Sequence, residues 1–255
     1  MSVQKFSLAV VKQVQQYIRA TLALTELDHA ALEIPEPESL DELSSIFEVG
    51  GLSSEARLDA ATHGAWSVSR VNPAAALLKL PGLRLKPGLR LISYLYRNPQ
   101  HSSGRVFALP EIYSTTALLE KALATSGDMT QPPRPEAALP HFMDAIEGDR
   151  SPVSFLVASL LQRELQEFGA DGQHCQWSHH QLLDAVPTVA RWQWQIELPK
   201  DFSPKVKVLT DGQAAVEFFT YRIRGGLGLY RHIDQYAANH YTPRSLDKLI
   251  AVGGS

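Results

Sequence analysis

Three of the nine histidines and the only cysteine of the chain fall within one stretch, HCQWSHH, at 174–180. The cluster has three chemical readings. A zinc ion takes three or four convergent nitrogen or sulfur ligands, and His174, Cys175, His179 and His180 supply such donors. Side chains adjacent in sequence rarely converge on one ion, however, and no Cys-x-x-Cys accompanies them. A thiolate nucleophile needs a base held within reach. His174 adjoins Cys175, which is poor geometry for a base, and a buried inert thiol is the commoner state of a lone cysteine. The third reading is structural. Ser178 is followed three residues later by Gln181, and HHQLLDAV reads as helical. That spacing predicts a capping box, with Trp177 and Leu182 as its hydrophobic staple. His179 and His180 would then open the helix, whose positive end favours the neutral ring. The helix start is the preferred reading; metal and catalytic roles are the alternatives, and no cofactor is expected.

Other constellations are weaker. His232 and Asp234 share a strand face, and with His240 they have the residue types of a two-histidine, one-carboxylate iron site. The second histidine of that pattern normally comes from a distant strand, so the match is read as chance. GGLG at 225–228 lacks the Gly-Lys-Ser/Thr of a phosphate loop and reads as a hairpin turn. Asp144, Glu147 and Asp149 gather before a predicted helix, where carboxylates complement its N-terminus. Neither a Gly-x-Ser-x-Gly elbow nor a His-Glu-x-x-His pair occurs.

Charge is more informative. The net charge is only -3, but residues 21–60 hold ten acidic side chains and one basic, whereas 70–106 hold seven basic and no acidic one. Such blocks steer charged partners, or face each other within one molecule. Within LRLKPGLRLISYLYR and the following strand, Arg84, Lys86, Arg90, Arg97 and Arg105 interleave with Tyr94 and Tyr96. YRIRGGLGLYRH repeats the theme with Tyr221, Arg222, Arg224, Tyr230 and Arg231. Tyrosine and arginine anchor protein interfaces and also stack bases and hold phosphates. A solvated sheet face is the plain alternative. The overall acidity counts against tight non-specific nucleic-acid binding.

The elements that must position these residues follow from periodicity. A helix is predicted over 3–23, and further helices after Ser53 or Ser54, after Ser114 or Thr115 up to Gly127, and from Ser151 and Pro152 to Gly169. The last carries Val153, Leu156, Val157, Leu160, Leu161, Leu165 and Phe168 as one apolar stripe, read as core. Strands are predicted around LRLISYLYR and RVFALPE, over RWQWQIEL, and on both sides of Asp211-Gly212 and Gly225-Gly226. The terminal AVGGS is expected to fray. Strand-rich and helix-rich runs segregate, which predicts α+β: a mostly antiparallel sheet with helices packed on one face. The expected divisions are a helical lobe with the basic hairpin (1–128), a proline-rich linker or loop (129–140), and a helix followed by antiparallel strands (141–255).

One cysteine cannot form an internal disulfide, which suits a reducing compartment. The N-terminal stretch lacks a continuous apolar run and a small-residue cleavage site, so no signal peptide or transmembrane insertion is expected and the location predicted is cytoplasmic. HFMDAIEGDRSPVSFLVASLLQRELQEFGADGQHCQWSHHQLL resembles a segment from a family of uncharacterised cyanobacterial proteins. The resemblance covers about a sixth of the chain and implies a cytoplasmic protein of a photosynthetic cell, with a photosynthesis-linked helper role; it carries no functional residue. The expectation is a non-enzymatic interaction or assembly protein docking a partner with an acidic face. The alternatives are a nucleic-acid binder on the same Tyr/Arg strands and a metal-assisted enzyme at 174–180.

Overall fold

The chain enters on a strand, not a helix. In the computed structural model, which describes residues 2–24, 64–98, 100–171, 174–222 and 224–254, β1 (Ser2–Lys5) precedes α1 (Leu8–Leu22). The backbone of residues 2–5 pairs with Lys205–Val208, and the helix predicted from residue 3 waits for Ser7, whose hydroxyl accepts the Val10 amide. The helix expected after Ser53 and most of the acidic block lie outside the described residues. Then follow β2 (Ala65–Val68), β3 (Leu83–Leu85), β4 (Leu89–Arg97), β5 (Ser102–Pro110), α2 (Thr116–Leu123) and β6 (Ile146–Gly148). The last part holds α3 (Pro152–Gln166), β7 (His180–Leu183), β8 (Arg191–Trp194), β9 (Lys205–Val208), β10 (Ala214–Arg222), β11 (Gly228–Tyr236) and β12 (Pro243–Gly254).

The large sheet is antiparallel throughout, in the order β1-β9-β10-β11-β12-β8. β10 pairs with β11 along its whole length, while its other edge is shared by β9 at residues 214–217 and β7 at 219–222. Asp211-Gly212 and Gly225-Gly226 turn the chain as their sequence predicts, with Gly212 at φ +82 and Gly225 at φ +76. Two small sheets complete the α+β architecture, β2-β4-β5 and β3-β6. The terminal strand does not fray as expected: Ala251–Gly254 pair with β8, which gives those backbone groups partners.

α3 sits at the centre. Ser151 caps it by accepting the Ser154 amide at 3.2 Å, and Pro152 occupies its first turn. It is not amphipathic in the expected way. Every residue from Ser154 to Leu165 is buried, including Gln162, Arg163 and Glu164. The large sheet covers one side and α1 the other, so a single apolar stripe does not suffice and polar residues are enclosed too. The main apolar cluster joins Val11 and Ile18 to Phe155, Leu160, Val206 and Phe218. α2 closes a separate cluster with Trp66, Tyr94 and Leu109. The opposite face of the large sheet is covered by Phe202 and the half-buried Trp192 and Trp194, packed on Phe219 and Ile250. In the proline-rich stretch Pro133 and Pro135 are buried, and the Leu139 amide bonds the Ala108 carbonyl at 2.8 Å. Among the described residues no helix is long and apolar enough to cross a membrane.

Candidate functional site

The histidine cluster does not start a helix. Residues 177–179 make a single tight turn, and β7 begins at His180 and pairs with Phe219–Arg222. An isolated helix this short is marginal, and ladder bonds to a long strand outcompete it. The predicted capping box is therefore absent. The Glu167 carboxylate takes that part, accepting the amides of Gln176, Trp177 and Ser178, the last at 2.8 Å. The four candidate ligands separate. His174 is exposed with its ring edge against His101, and Cys175 is half-buried with its thiol donating to the Ala170 carbonyl. His179 is half-buried, and His180 turns inward. Among the described residues no three His, Cys, Asp or Glu side chains are grouped to hold a metal ion.

His180 heads a buried polar chain that the sequence did not reveal. Its Nδ1 lies 2.7 Å from Thr220 Oγ1, which lies 2.8 Å from His232 Nε2; His232 Nδ1 is 2.7 Å from Asp247 Oδ1. Asp247 then meets Arg163, which also reaches Asp234 at 2.9 Å. Burial works against charge on Asp247, yet hydrogen bonds from His232 and Arg163 hold its pKa well below the ordinary carboxylate range. Burial lowers the pKa of His232, and burial with the neighbouring His232 and Arg222 lowers that of His180 to about 4. Both rings are thus neutral near pH 7, and the proton order follows from donor counting. Ionised Asp247 only accepts, so His232 carries its proton on Nδ1. Its bare Nε2 accepts the Thr220 hydroxyl, whose oxygen accepts Nδ1–H of His180.

The order Asp247–His232–Thr220 is that of a carboxylate, imidazole and hydroxyl triad. Thr220, however, is 0% exposed, and His180 occupies the hydroxyl's other side. An external acyl group has no approach to that oxygen, and the arrangement works as a directional internal network. Its walls are aromatic: Trp177 and Phe218 lie under the Arg163 guanidinium, each 5.2 Å away. Beside it, Glu164 accepts from Gln15, Arg19 and the Trp177 indole, tying α1 to α3.

The predicted docking residues scatter. Arg84 pairs with Glu147 at 2.7 Å, Arg90 with Glu111 at 2.9 Å, and the Lys86 ammonium donates to the Asp144 carbonyl. Tyr94 is wholly buried, its hydroxyl donating to the Leu119 carbonyl, and Tyr96 packs on Trp66. Neither ring is placed to stack a base. Arg97 is half-buried and Arg105 exposed. Arg222 lies over the Tyr230 ring on the helix side of the large sheet, Tyr221 bonds Gln181, and Arg224 is exposed in the β10–β11 turn. The hairpin β4–β5 forms as expected, but its tyrosines serve the core.

An exposed charged site lies instead on the sheet face away from α3. A depression of about 530 Å³ is lined by Lys200, Asp201, Lys205, Glu217, Arg231 and Lys248, among others. Its floor is ion-paired: Asp201 with Lys5 and Lys205, Glu217 with Lys205 and Arg231. Hydrogen bonds from Ser203 and Lys5 lower the Asp201 pKa to about 2. Lys200 and Lys248 make no ion pair among the described residues, nor does Arg244 further along β12. Leu198 and Leu246 are 52% and 44% exposed beside them. Compared with protein-family models, with characterised proteins and with solved structures, the chain gives no match.

Proposed function

We propose that the protein is a non-enzymatic interaction or assembly protein that docks an anionic protein partner. The observation that carries this reading is the group of cations Lys200, Arg244 and Lys248, which make no ion pair among the described residues, around and beside the depression. The arginines first suggested by sequence, Arg84 and Arg90, already have carboxylate partners and contribute little field. Exposed Leu198 and Leu246 supply apolar contact within the same charged setting, the mixture that interface centres and rims combine.

The test is affinity purification from the native cell with the full chain as bait, after nuclease treatment. The variant Lys200→Glu, Arg244→Glu, Lys248→Glu releases an acidic partner that the native chain retains. The control Arg84→Ala, Arg90→Ala keeps it. Identical partners on both variants, or loss on the control alone, overturn the reading. A complex abolished by nuclease supports the nucleic-acid alternative.

A further inference from the structure

We propose that the partner segment docks as an added β-strand along the outer edge of β12, and that it carries an acidic–x–apolar–x–acidic pattern. This rests on the docking reading above and names the chemistry of the partner.

Among the described residues the edge is open over a defined length. β8 pairs with β12 only at Ala251–Gly254, and the Gln195 amide reaches the Ile250 carbonyl just beyond. Residues Arg244–Lys248 pair with β11 on their inner side, and among the described residues no strand lies on the outer one. All five are exposed. Unpaired amides and carbonyls along such an edge are a template for another strand.

The face of each side chain is fixed by the buried network. Asp247 stands opposite His232 in register and bonds it, so it lies on the helix side of the sheet. Ser245, opposite Asp234, lies there too. By alternation Arg244, Leu246 and Lys248 share the other face, opposite Gln235, Ile233 and Arg231. Lys248 and Arg231 both line the depression on that face, which agrees.

An incoming strand sets its side chains directly opposite these, with Cβ atoms roughly 5 Å apart. Opposite charges and apolar pairs at that distance are favourable, so its residues facing Arg244 and Lys248 are acidic and the one between is apolar. The two intervening positions face Ser245 and Asp247. Asp247 is already held by Arg163 and His232, so neutral polar residues suffice there. A second copy of this chain is a poor occupant. Antiparallel β12–β12 pairing centred on Leu246 sets Arg244 against Lys248 on both sides, and like charges directly opposite destabilise a sheet.

The experiment uses the full chain and three labelled synthetic peptides in fluorescence anisotropy, with amide hydrogen exchange as the second readout. One peptide carries glutamate, threonine, valine, threonine, glutamate at its centre; the second has the same residues with the glutamates adjacent; the third replaces glutamate by lysine. The first binds at least tenfold more tightly than the others and protects the outward-pointing amides within 244–248. The variant Arg244→Glu, Lys248→Glu reverses the preference toward the lysine peptide, a gain that misfolding cannot mimic. Equal binding of the first two peptides, with exchange at 244–248 unchanged, overturns strand addition while leaving charge-driven docking intact. Binding of none of the peptides overturns strand addition as well, and means that Arg244 and Lys248 merely guard the edge. The docking reading itself stands or falls on the purification experiment.

Discussion

Arg163 and Asp247 meet through two parallel hydrogen bonds, Nη1 to Oδ2 at 3.0 Å and Nη2 to Oδ1 at 2.9 Å. The pair joins the buried central helix to the exposed edge strand, and the same guanidinium neutralises Asp234, which is 1% exposed. Replacing Arg163 with Met strands that carboxylate in the core. The expected loss is about 3–5 kcal/mol, because a buried charge without its partner keeps its full desolvation cost. Urea denaturation measures it. The double variant Arg163→Met, Asp234→Asn recovers part of the loss, and strict additivity of the two changes contradicts the account.

Thr220 bridges two imidazoles by hydrogen bonds. Thr220→Val keeps its shape and removes both hydrogen bonds, leaving one buried ring nitrogen of His180 and one of His232 unpaired. Each stranded group costs about 1–3 kcal/mol, so a total of roughly 2–6 kcal/mol is expected. Nitrogen chemical shifts of His232 in the native chain should report Nδ1 protonated and Nε2 bare; the reverse tautomer contradicts the proton order deduced from Asp247.

The histidines also set a pH response. His180 titrates at about 4 when folded against an ordinary 6.5, lowered first by burial and then by the neighbouring His232 and Arg222. Between those values the unfolded chain binds more protons, so stability rises with pH and falls as the solution is acidified from 6.5 toward 4. His232 acts in the same direction. Asp247, with a folded pKa below its ordinary 3.8, adds its own loss only below that value. Thermal melting across pH 7 to 4.5 should show a falling Tm, with a flatter profile in His180→Asn. A Tm that climbs on acidification rules this out.

Two glycines separate crowding from backbone strain. A Cβ on Gly104 would press on the Phe168 carbonyl and ring at the end of α3, so Gly104→Ala costs about 1–3 kcal/mol by overpacking. Gly88 has open space but φ +74, so Gly88→Ala costs only about 1–2 kcal/mol, from left-handed strain. Equal tolerance of both changes would show that α3 is free to move away from β5.

Much of the fold was legible because its signals are local. The Ser151-Pro152 start of α3, the turns at Asp211-Gly212 and Gly225-Gly226, and the alternation of Trp192 and Trp194 depend on neighbours a few residues away. The candidate sites were not legible in that way. Tyr94 and Tyr96 read as surface anchors because a strand sequence does not say which face α2 will cover. HCQWSHH was misread for a related reason: a capping box is a local pattern, but β10 offered His180–Leu183 a ladder from forty residues away.

The sequence by itself determined most element types, the main turns and an α+β architecture, since propensity, capping and period act over one or two turns of chain; the exceptions, 2–5 and 180–183, are strands held by distant partners. Only the tertiary structure decided that His180, Thr220, His232, Asp247 and Arg163 form one network. It alone also left the edge of β12 without a strand partner among the described residues, beside lysines with no ion pair among them. Those residues come from four strands and a helix spread over 85 positions. Their meeting depends on sheet order and register, which are set by the packing of the whole core and not by any local pattern.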